Sequence, residues 1–230
     1  MPAPLIEAAI ERLRGLITSG ELQPGQRLPA EAELSAQLGV SRGSLRESVR
    51  GLVSAGVLDV RRGDGTYVTS LTPERLLAGL GAAVEMMGAS SVLTLLETRR
   101  VIEPAATGLA ALRSSDEDRV HIFGHLEQMR RQTDVDALVR HDADFHQAVA
   151  TAGGNAVLTA ILNGISGSTF RTRVWRGLLD EKALERTVAE HAAIASAIAA
   201  GDARLAEAAA LLHVSSIEAW VRTQGDAPAE

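Results

Sequence analysis

Two groups of residues in this 230-residue chain have types and spacing that could do chemistry. The first is the run Gly39-Val40-Ser41-Arg42-Gly43-Ser44-Leu45-Arg46-Glu47-Ser48-Val49-Arg50. Ser41 is placed to cap a helix by accepting from its free N–H groups. Arg42, Gly43 and Ser44 fall in the first turn and Arg46 follows one turn later. Leu45, Val49 and Leu52 repeat at helical spacing on the buried side. Two guanidiniums on one face, separated by small residues, suit a helix lying in a DNA major groove. There Arg pairs bidentately with guanine, while hydroxyls and backbone N–H groups reach phosphate. The same run also fits a surface helix with ordinary arginines, so the neighbouring elements decide.

The second group is Asp142-Ala143-Asp144-Phe145-His146, with His191 and His213 downstream. Asp142 and His146 are one helical turn apart and point toward one spot. His191 precedes Ile194 and Ile198, and His213 follows Leu205 and Leu212, so both can lean toward a helical interior. Three imidazoles and one carboxylate suit a divalent ion, Zn²⁺ foremost with Ni²⁺ or Mn²⁺ as alternatives, and leave room for water or ligand oxygens. By spacing alone His121 and His125 form an equally good pair, and an Asp/His pair on a helix is more commonly a surface pair. Arg99 raises a different question, because it shares an apolar stripe with Val92, Leu95, Leu96, Ile102, Ala106 and Leu109. A guanidinium in a core needs a carboxylate, either Glu103 one turn on or that of a ligand. Arg173 falls on the apolar face of Leu158, Leu162, Ile165 and Thr169. It suits a second anion contact or a salt bridge to a neighbouring helix.

The elements that must hold these groups follow from composition and punctuation. Apolar residues make up 46% of the chain and aromatics 3%, which favours helices packed through small aliphatic side chains. There is no cysteine, so disulfides and thiolate metal sites are excluded. No signal pattern and no membrane-length apolar run is present, which points to a cytoplasmic protein without a membrane partner. The net charge of −6 argues weakly against nucleic acid, but it is unevenly spread. Residues 1–70 hold eight Arg against eight Asp/Glu, and 42–62 hold five Arg against Glu47 and Asp59, so the basic footprint is local.

Leu5, Ala9, Leu13, Leu16 and Ile17 predict a first helix ending by Gly20. Leu22–Pro29 reads as a turn-rich link around Pro24-Gly25. Pro29 starts a second helix with Glu31 and Glu33 in its first turn, and Gly39 turns into the arginine-bearing third, which ends at Ala55-Gly56. Leu58 and Val60 alternate with Asp59 and Arg61 as a half-buried strand does. The Gly63-Asp64-Gly65 turn then closes a hairpin. Three helices and a hairpin make a winged helix-turn-helix over residues 1–70. Its tip, Arg62 and Gly63, would reach an adjacent groove or phosphate. Residues 71–230 read as an all-α bundle of six or seven helices, over 73–88, 91–113, 115–131, 134–152, 155–176, 180–200 and 202–223. Thr72, Ser115, Asn155 and Asp202 stand at cap positions.

Leu28-Pro-Ala-Glu31, Leu34, Gly39-Val-Ser-Arg42, Leu45-Arg-Glu47, Leu52, Gly56 and Arg62-Gly-Asp-Gly-Thr-Tyr-Val68 resemble the DNA-binding domain of GntR-family bacterial transcription regulators. The resemblance implies that Arg42 and Arg46 contact bases, with Gly43 and Ser44 at the groove and Gly63 at the wing. One departure is Ala32, which stands where the family often has a DNA-binding arginine. The helical remainder resembles the FCD effector domain of the FadR branch. Asp142, His146, Glu190-His191 and His213 match its metal-binding subclass. Glu97-x-Arg99-x-x-Ile-Glu103 resembles the motif whose arginine meets an acidic effector. The implied function is a homodimeric regulator, a repressor, that binds a short palindromic operator in double-stranded DNA under control of a small carboxylate. Two other readings stand beside it: a regulator answering to metal alone, and a metal-dependent hydrolase or lyase fused to a DNA-binding module.

Overall fold

In a computed structural model that describes residues 3–87, 92–132, 134–167 and 182–224, leucine spacing builds the first elements as the periodicity predicts. The chain divides into two compact units, Met1–Gly79 and Leu80–Glu230. In the first unit, α1 (Ala3–Thr18), α2 (Glu31–Leu38) and α3 (Arg42–Ser54) are followed by β1 (Leu58–Arg61) and β2 (Gly65–Val68). The strands are antiparallel, with Leu58 opposite Val68 and Arg61 opposite Gly65. Leu13, Leu34, Leu38, Leu45, Leu52, Leu58 and Val68 close one apolar cluster beneath them. Gly39 adopts φ 62°, a left-handed conformation that costs glycine little, and its N–H returns to the last turn of α2.

Over residues 1–70 three details differ from the sequence reading. The link before α2 is more than a turn: Leu28 N–H donates to Thr66 O at 2.8 Å and Val68 N–H to Gln26 O at 2.9 Å, so Gln26–Leu28 lines the open edge of β2. Helix α2 begins at Glu31 rather than Pro29, with no side-chain cap from Ala30, and relies on the two first-turn glutamates. Val60 is 55% exposed while Leu58 is buried. A two-stranded ribbon has one short end on the core, so only the first inward position finds apolar partners.

The expected helix over 73–88 is two, α4 (Pro73–Leu76) and α5 (Gly79–Met86), with Gly79 and Gly81 offering weak helix propensity where it breaks. Then come α6 (Val92–Arg113), α7 (Asp116–Arg131), α8 (Val135–Ala152), α9 (Ala156–Ser166), α10 (Ala183–Ala199) and α11 (Ala203–Thr223). No strand occurs among the described residues of this unit. Ser115 and Asp118 form a full capping box, and Asn155 and Asp202 each accept from a backbone N–H three residues on. Thr72 makes no such bond, whereas Asp134, not singled out by the sequence, caps α8. The core joins Ile122, Leu126 and Met129 of α7 to Phe145 and Val149 of α8 and Ile194 and Ile198 of α10. Alanines of α6, α10 and α11 in the same cluster leave room for close helix approach.

Gly56 ends α3 at φ 72°, and a Cβ there would lie 2.5 Å from the backbone O of Arg75. Both conformation and space therefore exclude a side chain. Gly56→Ala is expected to destabilise the winged unit by on the order of 1–3 kcal/mol. Denaturant unfolding followed by circular dichroism measures this, and an unshifted midpoint contradicts it.

Candidate nucleic-acid interface and candidate metal centre

Ser41 accepts from Ser44 N–H at 3.1 Å and so starts α3 where the sequence places it. Arg42, Gly43 and Arg46 are exposed and Ser44 is half-buried, all on the first turns of this helix. Arg46 is not idle: its Nε donates to Glu31 Oε2 of α2 at 2.9 Å, and this bond raises its already high pKa. At the hairpin tip Arg62 and Gly63 are exposed, and Gly63 turns the chain at φ 75°. The tip is braced from one side by Arg61, whose guanidinium lies 3.9 Å over the Tyr67 ring, and by the Tyr67 hydroxyl donating to Asp64 at 2.7 Å. Arg27 crosses Gly65, where a Cβ would meet its Nε at 2.5 Å. A cleft of about 630 Å³ opens between α2, α3 and β2, and Arg27, Arg46 and Arg50 stand on its walls. Ala32 is exposed on α2 and brings only a methyl group.

In the second unit, helices distant in sequence bring Asp142, His146, His191 and His213 together, with one ligand atom from each within 4.8 Å of the others. Helix α8 supplies Asp142 and His146, α10 supplies His191 and α11 supplies His213. Asp142, His191 and His213 are buried and His146 nearly so. Each ring is oriented through Nδ1. His146 Nδ1 lies 2.6 Å from Glu103 Oε1, His191 Nδ1 lies 2.7 Å from Thr187 O, and His213 Nδ1 lies 2.8 Å from Glu190 Oε2. The Nε2 atoms are thereby left to face inward: those of His146 and His191 are 3.1 Å apart, and Asp142 Oδ1 is 3.3 Å from His191 Nε2. Phe145 packs edge-on against His191, with ring centroids 4.4 Å apart, and fixes the floor.

This arrangement fits a divalent cation. His213 Nε2 is buried with no hydrogen-bond partner among the described residues, a costly state that a metal bond relieves. An imidazole held by a carboxylate or carbonyl at its other nitrogen is the usual support of a metal ligand. Glu103, Asp142 and Glu190 outnumber Arg99 here by two charges, which a divalent ion would neutralise. Burial lowers the pKa of His146, and burial together with the neighbouring His213 lowers that of His191 further, which favours the neutral rings that a metal would need.

Arg99 is fully buried, and its Nε donates to Glu103 Oε2 at 2.8 Å, so the internal carboxylate is one of its partners. Burial by itself would raise the Glu103 carboxyl, but Arg99 and His146 hold it well below the usual range. Glu103 thus serves two groups, and the sequence disclosed only the nearer, since His146 is 43 residues away. Glu31 is a similar case, legible as a first-turn acid but not as the partner of Arg46. Beside Glu103 and His146, against α9, the free space is about 10 Å³, room for about one water. Arg173 lies outside the described residues.

Two family profiles match this chain. The one described as "Bacterial regulatory proteins, gntR family" covers residues 5–68, and the one described as "FCD domain" covers 94–216. HTH-type transcriptional regulator LutR of Bacillus subtilis is 31% identical over 210 residues, spanning 88% of this chain and 94% of that protein. The putative L-lactate dehydrogenase operon regulatory protein of Escherichia coli is 32% identical, over 96% of this chain and 88% of its own length. The galactonate operon transcriptional repressor of the same species is 31% identical, over 87% and 89%. Among solved structures, a GntR protein of Streptococcus agalactiae superposes with a TM-score of 0.72 at 26% identity, over 94% of this chain and 99% of that one. These domains and relatives are regulators of transcription, not enzymes. Among the described residues no helix is long and apolar enough to cross a membrane.

The depressed histidine pKa values set the acid response of the metal-stripped protein. Below about pH 6.5 the unfolded chain takes up protons on His146 and His191 that the folded chain resists. Stability is therefore lost as pH falls through that value and on through the lower folded ones. The thermal midpoint of chelator-treated protein is expected to be lower at about pH 5.5 than at about pH 7.5, whereas an equal or higher midpoint at the lower pH contradicts the assignment.

Proposed function

Because the chain belongs to the GntR family of bacterial regulatory proteins and carries an FCD domain, we propose that it is a homodimeric repressor whose operator affinity is set by a small carboxylate. Arg42 and Arg46 read guanine edges in the major groove, Gly43 and Ser44 allow close approach, and Arg62 and Gly63 reach the backbone or the adjacent minor groove. Each copy reads one half of a short palindrome. Asp142, His146, His191 and His213 hold a divalent ion, with Zn²⁺ suited best by a buried set of nitrogens and one carboxylate. When bound, such an ion supplies a Lewis-acid position that an acid's oxygen could occupy. Glu103, Thr187 and Glu190 keep the three rings aimed, and Arg99 places a positive charge beside the site.

The observation that carries this reading is the union, in one chain, of a Ser41-capped helix presenting two arginines and a buried His/Asp cluster oriented by outer hydrogen bonds. Two relatives are named for operons of L-lactate dehydrogenase and of galactonate. Both names refer to hydroxy acids, which favours a small hydroxycarboxylate as the effector here. A regulator that responds to metal alone is the second reading, favoured by the small space beside Glu103 and His146.

Fluorescence anisotropy on an operator selected from random duplexes tests both. Arg42→Ala and Arg46→Ala are each expected to weaken specific binding by about 1–3 kcal/mol and to relax sequence preference. Unchanged affinity and preference would sink the repressor reading. Zn²⁺ added alone and then with L-lactate or D-galactonate separates the two signals: a shift only with the acid supports the carboxylate, and a complete shift with Zn²⁺ alone supports the second reading.

A further inference from the structure

A second histidine-and-acid group lies between α7 and α8. His125 of α7 and His141 and Asp144 of α8 each offer a ligand atom, all within 4.8 Å of one another. Both histidines are half-buried and Asp144 is exposed. His141 Nδ1 is shut from water with no hydrogen-bond partner among the described residues. The carboxylate nearest to it, Asp144 Oδ2, stands 3.9 Å away, beyond hydrogen-bond reach. A ring nitrogen that is closed off and faces an acid across a gap is unusual, because buried polar atoms are normally paired. A cation between the two would satisfy both.

The surroundings suit that occupant. A cleft of about 240 Å³ borders His125 and Asp144 and extends to Asp118, His121 and Gln147, leaving room for water ligands. The frame is rigid, since Ile122 and Leu126 of α7 and Leu138 and Phe145 of α8 share the main core on either side of these positions. Ligands at ~2.0–2.2 Å from one ion stand at most about 4.4 Å apart, so small side-chain rotations close the set.

We propose that His125, His141 and Asp144 form a second divalent transition-metal site, distinct from the buried cluster. Two imidazoles and one carboxylate select Zn²⁺, Ni²⁺ or Cu²⁺ over Mg²⁺ or Ca²⁺, which prefer all-oxygen sets. With three protein ligands and an open face it binds more weakly than the enclosed four-ligand cluster. An ion here ties α7 to α8, the helix that also carries Asp142 and His146.

The test is Zn²⁺ titration of the untagged, chelator-stripped full chain by calorimetry, with metal content read after desalting. The wild-type chain is expected to take two equivalents in a tight and a weaker step. His125→Ala and Asp144→Ala, both off the buried cluster, should weaken the second step by about tenfold or more and leave the tight one in place. His213→Ala should remove the tight step and keep the weaker. Circular dichroism on each variant confirms the fold. A wild-type chain that takes one equivalent, lost in His213→Ala and kept in His125→Ala, overturns the proposal and leaves the buried centre standing. Two undiminished steps in both His125→Ala and Asp144→Ala overturn it as well.

Discussion

The second unit depends on solving one problem: an arginine, three carboxylic acids (Glu103, Asp142 and Glu190) and three histidines meet inside a bundle whose core is mostly apolar. Withdrawing such groups from water costs several kcal/mol per charge unless each is paired and hydrogen-bonded. The bundle offsets part of that cost by interlocking them, while His213 Nε2 keeps no hydrogen-bond partner among the described residues. Glu103 faces Arg99 with one oxygen and His146 with the other, Glu190 takes His213 and a backbone carbonyl takes His191. Removing one member strands its partners, so the helices that supply them, α6, α8, α10 and α11, must keep a common register. Phe145 and the alanine-rich contacts provide the stiffness that such registration needs.

The winged unit follows the opposite rule. Its functional charges stay in water, and the Arg46–Glu31 pair is exposed on both sides, hence weak and screened by salt. Such weakness would suit an arginine that reads a base. Glu31 holds the guanidinium at the head of the cleft, and so exposed a bond would yield to a guanine edge, which offers a bidentate partner. Ser41 works in the same direction, because its side chain fixes the helix start and leaves Arg42 and Gly43 bare. The charge of the whole chain, −6, therefore says little about its DNA partner; only the local surface around α3 and the hairpin does.

Most helices were legible because their signals are local. Ser115, Asn155 and Asp202 cap where spacing places them, and Gly39 and Gly56 mark ends that need positive φ. Errors arose where a long-range partner decides. Nothing in Gln26–Leu28 announces that it will pair with β2, and Val60 alternates correctly but finds no core to face. In the candidate metal cluster the convergence of Asp142, His146, His191 and His213 was readable from spacing joined to family resemblance. The hydrogen bonds that aim the rings were less so, since Glu103 meets His146 only after α6 and α8 pack. The His125–His141–Asp144 group was hidden for the same reason: spacing paired His125 with His121, and only the packing of α7 on α8 pairs it with His141.

The same interlocking constrains how a signal could arise. An ion in the buried cluster contributes its binding free energy to folding, because its ligands converge only in the packed bundle. Such an ion stabilises the bundle whenever it is present, and by itself it distinguishes two arrangements only if they hold the ligands differently. An effector can move an equilibrium no further than its own difference in affinity between the two states. The space that the described residues leave beside Glu103 and His146 is about 10 Å³, so a carboxylate placed there would have to move a side chain. The side chains that border this space are also members of the buried network, and Glu103 is the one that answers to both Arg99 and His146. An acid bound near Arg99 would compete with Glu103 for it, and a displaced Glu103 would loosen His146 in turn. A local change of charge there would thereby reach α6 and α8 together, through one carboxylate that cannot satisfy its old partners and make way for a new one at once.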